Sequence, residues 1–184
     1  MRYNVAQLLK GPTGNRRQYE LREEIEGLDK GLVPIRPLIG TVTLMRTSQG
    51  ILVTGRLRTK LRVECRRCLE PYNIDVQLHL EEEFHPTVLI GESPVDRVSR
   101  EEEDEALMID AHHTLDLSEV IRQGLWLAMP MDLLCRPDCA GLCPNCGGNR
   151  NLGECQCDQQ AIDPRWAALQ QLLLNEPDQT KGVD

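Results

Sequence analysis

The segment from Cys135 to Cys157 constrains what this chain can fold into more than any other. It holds six of the eight cysteines within 23 residues, together with four glycines and two prolines. A segment so small and polar cannot bury enough apolar surface to keep one conformation unaided, so it needs covalent or metal crosslinks. The other two cysteines form the motif Cys65-Arg-Arg-Cys68, far upstream, and need the same explanation.

The cellular compartment that the sequence suggests is one in which cysteines bind metal more readily than they form disulfides. No apolar run is long enough to span a membrane, and the first residues lack the apolar core of a signal peptide. We therefore expect a cytoplasmic protein with no membrane partner, whose thiols stay reduced and bind metal or carry redox chemistry. The net charge of −8 argues against a surface that binds nucleic acid everywhere, but it leaves room for a local basic face.

The eight cysteines form four close pairs, which predicts two zinc ions, each held by four thiolates. The strongest signal is Cys143-Pro-Asn-Cys146, because thiolates at this spacing reach one metal and the glycine that follows permits a tight turn. We expect the next pair to fold back on this knuckle, and the upstream pair to meet the remaining one. The predicted ligand sets are Cys143, Cys146, Cys155 and Cys157 in one site, and Cys65, Cys68, Cys135 and Cys139 in the other.

Other uses of these cysteines stay open at this point. One alternative unites the consecutive cysteines from Cys135 to Cys146 in a single site, with the other two pairs free or forming the second site. Iron in a rubredoxin-like site uses the same knuckle, but usually two copies of it. A thioredoxin-type use of Cys65 and Cys68 needs a helix N-terminus after a strand. Buried unreactive thiols account for one or two cysteines, but not for eight in four pairs.

Alternation of apolar and polar residues predicts that residues 1–134 are mainly β. The clearest pattern covers two neighbouring strands whose connection contains Cys65 and Cys68, so a long hairpin carries this pair at its tip. Gly55 within the first of these strands predicts a bend or bulge. Strands are expected at 16–25, 38–46, 51–64 and 72–84, with a short one at 107–110.

Two helices and an acidic linker complete the expected organisation. A helix over 116–129 begins at Asp116 with Glu119 as its capping-box partner, carries one apolar stripe and stops at Pro130. A cysteine-rich zinc lobe packs on the β domain. The remaining segments are an acidic linker at 85–105, the lobe itself at 135–160, a C-terminal helix at 163–175 and a flexible tail at 177–184.

These elements together predict an α+β fold. We expect a bent antiparallel sheet or partial barrel with two flanking helices and the cysteine-rich zinc lobe.

A row of cations on the hairpin is the best candidate for a binding surface. Alternate residues of the strand at 51–64, continued at the hairpin tip, can follow a phosphate backbone or an acidic protein. In the alternative interpretation, carboxylates of the neighbouring strand neutralise this row across the ladder. The predicted binding residues are Arg56, Arg58, Lys60, Arg62, Arg66 and Arg67, and the carboxylates in question are Asp75, Glu81 and Glu83.

The sequence gives no positive reason to expect an enzyme or a small-molecule substrate. Catalytic zinc sites usually include histidine or carboxylate ligands. None of the four histidines lies at metal-pair spacing from the cysteines, so the sequence does not indicate such a site. A phosphate-binding glycine loop, a nucleophile elbow and a dinucleotide fingerprint are all missing from the sequence. We therefore predict no catalytic residues.

Several motifs resemble the YceD family, also called the large ribosomal RNA subunit accumulation protein family. They are VECRRCLEPY, the E-x-F from Glu82 to Phe84, LWLAMP, DCAGLCPNCGGNRN, CQC and DPRWAAL. The opening YNVAQLLKGPTG is also similar to members of this family. The motif with Cys65 and Cys68 matches the family's most widespread signature, whereas the segment 143–157 resembles only its cysteine-rich branch.

The resemblance implies a bacterial or organellar protein involved in the accumulation or processing of large-subunit ribosomal RNA. With the basic hairpin, it predicts a non-catalytic ribosome-assembly factor that binds ribosomal RNA or a large-subunit ribosomal protein. The alternative is a zinc-stabilised protein-interaction adaptor that does not contact RNA. The sequence does not indicate the oligomeric state.

Overall fold

A computed structural model describes residues 1–87, 105–153 and 155–157 of the chain. The chain divides after Cys139 into two compact units. The predicted C-terminal helix, the tail and most of the acidic linker lie outside the described residues. None of the helices in the described part has the length and apolar character needed to cross a membrane.

The larger unit, Met1–Cys139, is built mainly from strands. Its helices in the described part are α1 (Ala6–Leu9) and α2 (Ser118–Ala128), and a short 3₁₀ turn covers Glu105–Leu107. Its strands are β1 (Arg2–Asn4), β2 (Arg16–Glu23), β3 (Val33–Pro34), β4 (Leu38–Arg46), β5 (Ile51–Glu64), β6 (Pro71–Pro86), β7 (Met108–Ile109) and β8 (Thr114–Asp116).

The long hairpin of β5 and β6 is the centre of the main sheet. Its register runs without interruption from the pair Ile51–Phe84 to the pair Glu64–Pro71. Alternate residues of both strands face the core, where Phe84 is completely buried. Of the bend or bulge predicted at Gly55, the bulge is wrong, because this residue pairs in regular register with β4 on one side and β6 on the other.

The main sheet has the strand order β2-β4-β5-β6-β7, and β3 pairs with β5 beyond the end of β4. All these pairs are antiparallel except β6 with β7, which is parallel. Within the described residues the sheet does not close into a barrel, since β2 and β7 are its two outer strands. A separate small sheet pairs β1 with β8. An α+β fold is consistent with this architecture.

Helix α2 packs against β6 with the apolar stripe that the sequence predicts. The side chains of Val120, Ile121 and Leu125 are buried there. The predicted capping box does not form, because the Glu119 carboxylate accepts hydrogen bonds from Arg122 and Gln123 instead. The helix begins at Ser118, two residues after the predicted start, and the backbone N–H of Ser118 donates to the Asp116 carboxylate at 2.9 Å.

At Gly40, β4 lies too close to β5 for a side chain. A Cβ at this position would collide with the carbonyl oxygen of Arg56 and lie 2.9 Å from the Cα of Leu57. Because β4 is paired on both sides, its backbone cannot shift freely. We expect Gly40→Ala to lower the free energy of unfolding by about 1–3 kcal/mol, measured by urea unfolding. Thr43→Ala on the exposed face of the same strand is the control, and an equal loss in both variants would contradict this account.

Candidate metal centres and binding face

The structure brings the eight cysteines together in the two groups of four that the spacing predicts. In each group the four sulfur atoms lie within 4.8 Å of one another. Each group belongs to one compact unit, so each is a local site. The alternative in which the consecutive cysteines share one site does not agree with this grouping. The upstream site in the larger unit contains Cys65, Cys68, Cys135 and Cys139, and the knuckle site in the smaller unit contains Cys143, Cys146, Cys155 and Cys157.

The sulfur separations in the upstream site fit a tetrahedral metal better than disulfides. The sulfurs of Cys65 and Cys139 are 3.8 Å apart, and those of Cys68 and Cys135 are 3.7 Å apart. A tetrahedron of sulfurs around zinc, with bonds of about 2.3 Å, has edges of roughly 3.8 Å. A disulfide bond is only about 2.05 Å long. The donor set and its dimensions therefore suit zinc.

The same turn carries the Cys-x-x-Cys motif in both sites. The backbone N–H of Leu69 donates to the carbonyl of Cys65 at 2.9 Å, and that of Gly147 donates to the carbonyl of Cys143 at 2.9 Å. The residue after each second cysteine has a left-handed backbone, with φ of 61° at Leu69 and 73° at Gly147. The sequence did not identify the first motif as a knuckle, because leucine occupies the position where glycine is the usual residue for such a turn.

Hydrogen bonds to sulfur accompany this turn in the upstream site. Burial raises the pKa of the Cys65 thiol, but the backbone N–H groups of Cys135, Cys68 and Arg67 lower it more, to about 6. The pKa of Cys135 is raised to about 12 by burial and by the neighbouring thiols. One thiolate forms easily, whereas four thiolates together need a compensating cation.

In the knuckle site, too, the pKa of one thiol is lowered and that of another is raised. The backbone N–H of Cys146 is the largest cause that lowers the pKa of Cys143, to about 6. The pKa of Cys157 is raised to about 12, first by the thiol of Cys146 and then by that of Cys155. Around this site, the buried Asn149 side chain accepts the backbone N–H of Asn151 at 3.0 Å and fixes the loop between the two cysteine pairs.

The upstream site fastens the hairpin tip to the chain that follows α2. The backbone N–H of Arg66 donates to the carbonyl of Leu133 at 2.8 Å. The guanidinium of Arg67 donates to the carbonyl of Cys139 at 3.0 Å. Cys65 is fully buried and Tyr72 packs against the cluster. The tip is thereby fixed to the segment that carries Cys135 and Cys139.

The predicted basic row lies on the face of β5 that points away from the core. Arg56, Arg58 and Arg62 are exposed and Lys60 is half-buried. At the hairpin tip, Arg66 is exposed and lines one groove together with Arg62. Arg67 is exposed as well, but its guanidinium is already engaged with Cys139.

The neighbouring strand neutralises only one cation of this row. Asp75 pairs with Lys60, with 3.4 Å between the charged atoms. The register places neutral or weakly basic residues opposite the arginines, while the other carboxylates lie opposite Thr54 and Leu52. The opposing pairs are Arg56–His79, Arg58–Gln77, Arg62–Asn73, Thr54–Glu81 and Leu52–Glu83.

The three arginines of β5 therefore have no carboxylate directly opposite them on β6. In the described part of the chain, Arg56, Arg58 and Arg62 form no ion pair. Of the four cations on β5, only Lys60 is neutralised by a carboxylate across the ladder, in agreement with the alternative interpretation for that residue. The face carries a positive excess on a chain whose net charge is −8.

Comparisons with known proteins agree with the motifs. The sequence model of one family, described as large ribosomal RNA subunit accumulation protein YceD, matches residues 53–173. An uncharacterized protein of Mycobacterium tuberculosis is 37% identical over 142 residues, which cover 73% of this chain and 61% of that protein. An uncharacterized protein of Mycobacterium leprae is 31% identical over 138 residues, covering 74% of this chain and 59% of its own length.

A plant protein is also similar. The Zea mays protein named large ribosomal RNA subunit accumulation protein YCED homolog 1, chloroplastic, is 26% identical over 159 residues, which cover 72% of this chain and 52% of that protein. The chain thus spans less than two thirds of the length of each of these relatives. No solved structure gives a significant match.

Proposed function

The chain belongs to the YceD family of large ribosomal RNA subunit accumulation proteins, and from this membership we propose that it is a non-catalytic ribosome-assembly factor that binds ribosomal RNA. The observation that carries the proposal is the row of arginines on β5, which face neutral or weakly basic residues across the ladder. A protein that binds phosphate groups needs such uncompensated cations. The proposed compartment is the cytoplasm.

We further propose that each cysteine group holds one zinc ion and that both ions are structural. All ligands are thiolates, and a closed set of four thiolates leaves no position for a substrate. In this account the upstream zinc fixes the hairpin tip, so that the cations of β5 and the tip keep a constant arrangement. The zinc is then a support for the binding face and does not contact RNA.

Salt-dependent RNA binding by the purified wild-type protein tests this function. Each phosphate contact steepens the fall of log affinity with log salt, and adds about 0.7 to the magnitude of this slope for a single strand. We expect binding to a large-subunit ribosomal RNA transcript to weaken steeply with potassium chloride, measured by fluorescence anisotropy. Absence of RNA binding at low salt would reject the proposal.

A second candidate function is a zinc-stabilised adaptor that binds a protein without contacting RNA. An exposed apolar groove of 550 Å³ next to the upstream site favours it. The walls include Trp126 and Leu69, which are 42% and 58% exposed, and Arg62 and Arg66 also line it. A protein segment with an apolar side chain beside carboxylates fits this groove. The adaptor account predicts no salt-sensitive RNA binding, so the same titration separates the two candidates.

A further inference from the structure

Two arginines that the sequence pattern did not single out meet the basic face from other segments. Arg22 lies near the end of β2, and Arg36 lies in the loop between β3 and β4. Together with Arg58 and Lys60 they line a cavity of 460 Å³. Four cations from three segments of the chain therefore converge on one concave surface of the larger unit.

The sheet register fixes the position of Arg22. Ile39 pairs with Arg22 on one side and with Arg58 on the other. Residues directly opposite each other in antiparallel strands share a face of the sheet. Arg22 and Arg58 consequently flank Ile39 on the outer face, two strand spacings or roughly 10 Å apart.

The loop that carries Arg36 is held on β5 by two hydrogen bonds. The hydroxyl of Thr59, which is 6% exposed, donates to the carbonyl of Arg36 at 2.8 Å. The backbone N–H of Ile35 donates to the carbonyl of Lys60 at 2.9 Å. These bonds lie where β5 has passed the end of β4 and has not yet reached β3. The backbone of Arg36 is thus built into the sheet, while its side chain is exposed.

The cavity is positively charged. Among the described residues that line the cavity, Asp75 is the one carboxylate, and it pairs with Lys60. Among the described residues, Arg22, Arg36 and Arg58 form no ion pair. Three like charges gathered around one cavity repel one another unless an anion lies between them. The remaining lining is neutral and comes from Pro37, Ile39, Thr59, Val76 and Gln77.

We propose that this cavity binds a phosphodiester group of RNA, with Arg22 and Arg36 as phosphate ligands beside Arg58 and Lys60. The inference rests on the proposed RNA-binding function and extends its contact surface from β5 to β2 and the β3–β4 loop. The planar guanidinium fork matches two phosphate oxygens, which explains why arginine dominates this set. Successive outward residues of a strand are about 6.7 Å apart. This spacing is close to that of neighbouring phosphates, so the row on β5 and the cavity can bind one continuous strand.

The cavity binds an RNA strand without distinguishing one base sequence from another. The described residues that line the cavity include no aromatic ring, so they offer bases no platform on which to stack. Contacts to phosphate position an RNA strand but carry no sequence information directly. The cavity therefore contributes affinity and orientation of the strand.

Single-charge variants test the assignment with a matched control. Arg22→Gln and Arg36→Gln remove one proposed phosphate ligand each. Arg16→Gln removes an exposed arginine from the same strand and the same face as Arg22, opposite Met45 and outside the cavity. The probe is a labelled single-stranded RNA of mixed sequence, titrated with each protein by fluorescence anisotropy over a series of potassium chloride concentrations. Urea unfolding confirms that each variant is folded.

We expect Arg22→Gln and Arg36→Gln each to weaken RNA binding about tenfold and to reduce the salt slope by about 0.7. Arg16→Gln should leave the salt slope unchanged. Equal effects in all three variants would mean that total charge alone matters and would overturn the site. Unchanged binding in Arg22→Gln and Arg36→Gln, beside a wild-type protein that binds RNA, would sink this inference and leave the proposed function standing.

Two further outcomes bear on the ligand. A wild-type protein that does not bind RNA rejects the inference and the proposed function together. Poly-glutamate serves as a second anionic probe. If it binds as tightly as RNA and loses the same affinity in Arg22→Gln, the cavity recognises carboxylates, and the assignment to phosphodiesters is wrong.

Discussion

We expect the double variant Cys65→Ser/Cys68→Ser to retain about one zinc ion per chain, against about two in the wild-type protein. It removes two of the four thiolates in the upstream site and none in the knuckle site. Two cysteine ligands do not complete a structural zinc site, which uses four. The measurement is the zinc content of the purified, fully reduced protein by mass spectrometry.

The same variant should be strongly destabilised. The upstream site holds the hairpin tip against the segment after α2, and the bonds from Arg66 to Leu133 and from Arg67 to Cys139 depend on that arrangement. Structural zinc binds finger peptides with about 10–16 kcal/mol. Because the larger unit keeps its apolar core without the metal, we expect a smaller loss, of at least about 4 kcal/mol in the free energy of unfolding.

Hydrogen exchange localises the effect. Amides near the tip should lose protection, while the opposite end of the hairpin, around the pair Ile51–Phe84, should keep it. The control is Cys143→Ser/Cys146→Ser, which should also lose one zinc ion without altering exchange at the tip. If the Cys65/Cys68 variant keeps both zinc ions, the upstream ligand set is wrong.

The second large effect is expected from removing the basic row. The variant with Arg56, Arg58, Lys60 and Arg62 all changed to glutamine should bind single-stranded RNA at least about a hundredfold more weakly than wild type. Its salt slope should fall by about 2.1, which is three arginine contacts at about 0.7 each, because Lys60 is already paired with Asp75. Three of the four side chains are exposed, so the fold should remain intact.

A matched control separates the row from total charge. The variant with Lys10, Arg16, Arg17 and Lys30 changed to glutamine has the same net charge, and all four of these side chains are exposed. It should retain most of the affinity of the wild-type protein. Equal losses in the two variants would mean that RNA binding follows net charge, and unchanged binding in the first would remove β5 from the binding face.

The hairpin and the two cysteine groups could be predicted because the alternation of apolar residues fixes the strands and the close spacing of the cysteines fixes the pairs. Alternation over 51–64 and 72–84 specifies two strands with one buried face. Once they are paired, Cys65 and Cys68 must lie at the tip. The exit of the chain from α2 toward Cys135 then supplies the other pair. Spacing alone left a different partition of the cysteines open, and the three-dimensional distances favour the grouping in two local sites.

Features that depend on register or on distant segments could not be predicted. The number of cations that remain unpaired on β5 follows from which residue of β6 lies opposite each one, and a shift of register would change every pair. The position of Arg22 and Arg36 beside Arg58 depends on two strands and a loop that are distant in the sequence. The parallel pairing of β7 with β6 follows a connection that has no recognisable periodicity.

Local competition explains the smaller differences. Glu119 matched the capping-box spacing, but Arg122 offers its carboxylate a charged partner at 2.6 Å. Leu69 adopts a left-handed backbone that favours glycine, because the knuckle at Cys65 requires the turn whatever residue follows. In both cases a stronger nearby interaction overrides the local preference.

We propose that a zinc-supported basic face attaches this protein to large-subunit ribosomal RNA during assembly. The most direct test of this claim is co-sedimentation of the wild-type protein and the Arg56/Arg58/Lys60/Arg62 variant with large-subunit precursor particles on a sucrose gradient. We predict that the wild-type protein migrates with the precursors at low salt and is released as salt rises, while the variant stays at the top of the gradient. Equal migration of both proteins with the particles would contradict the claim.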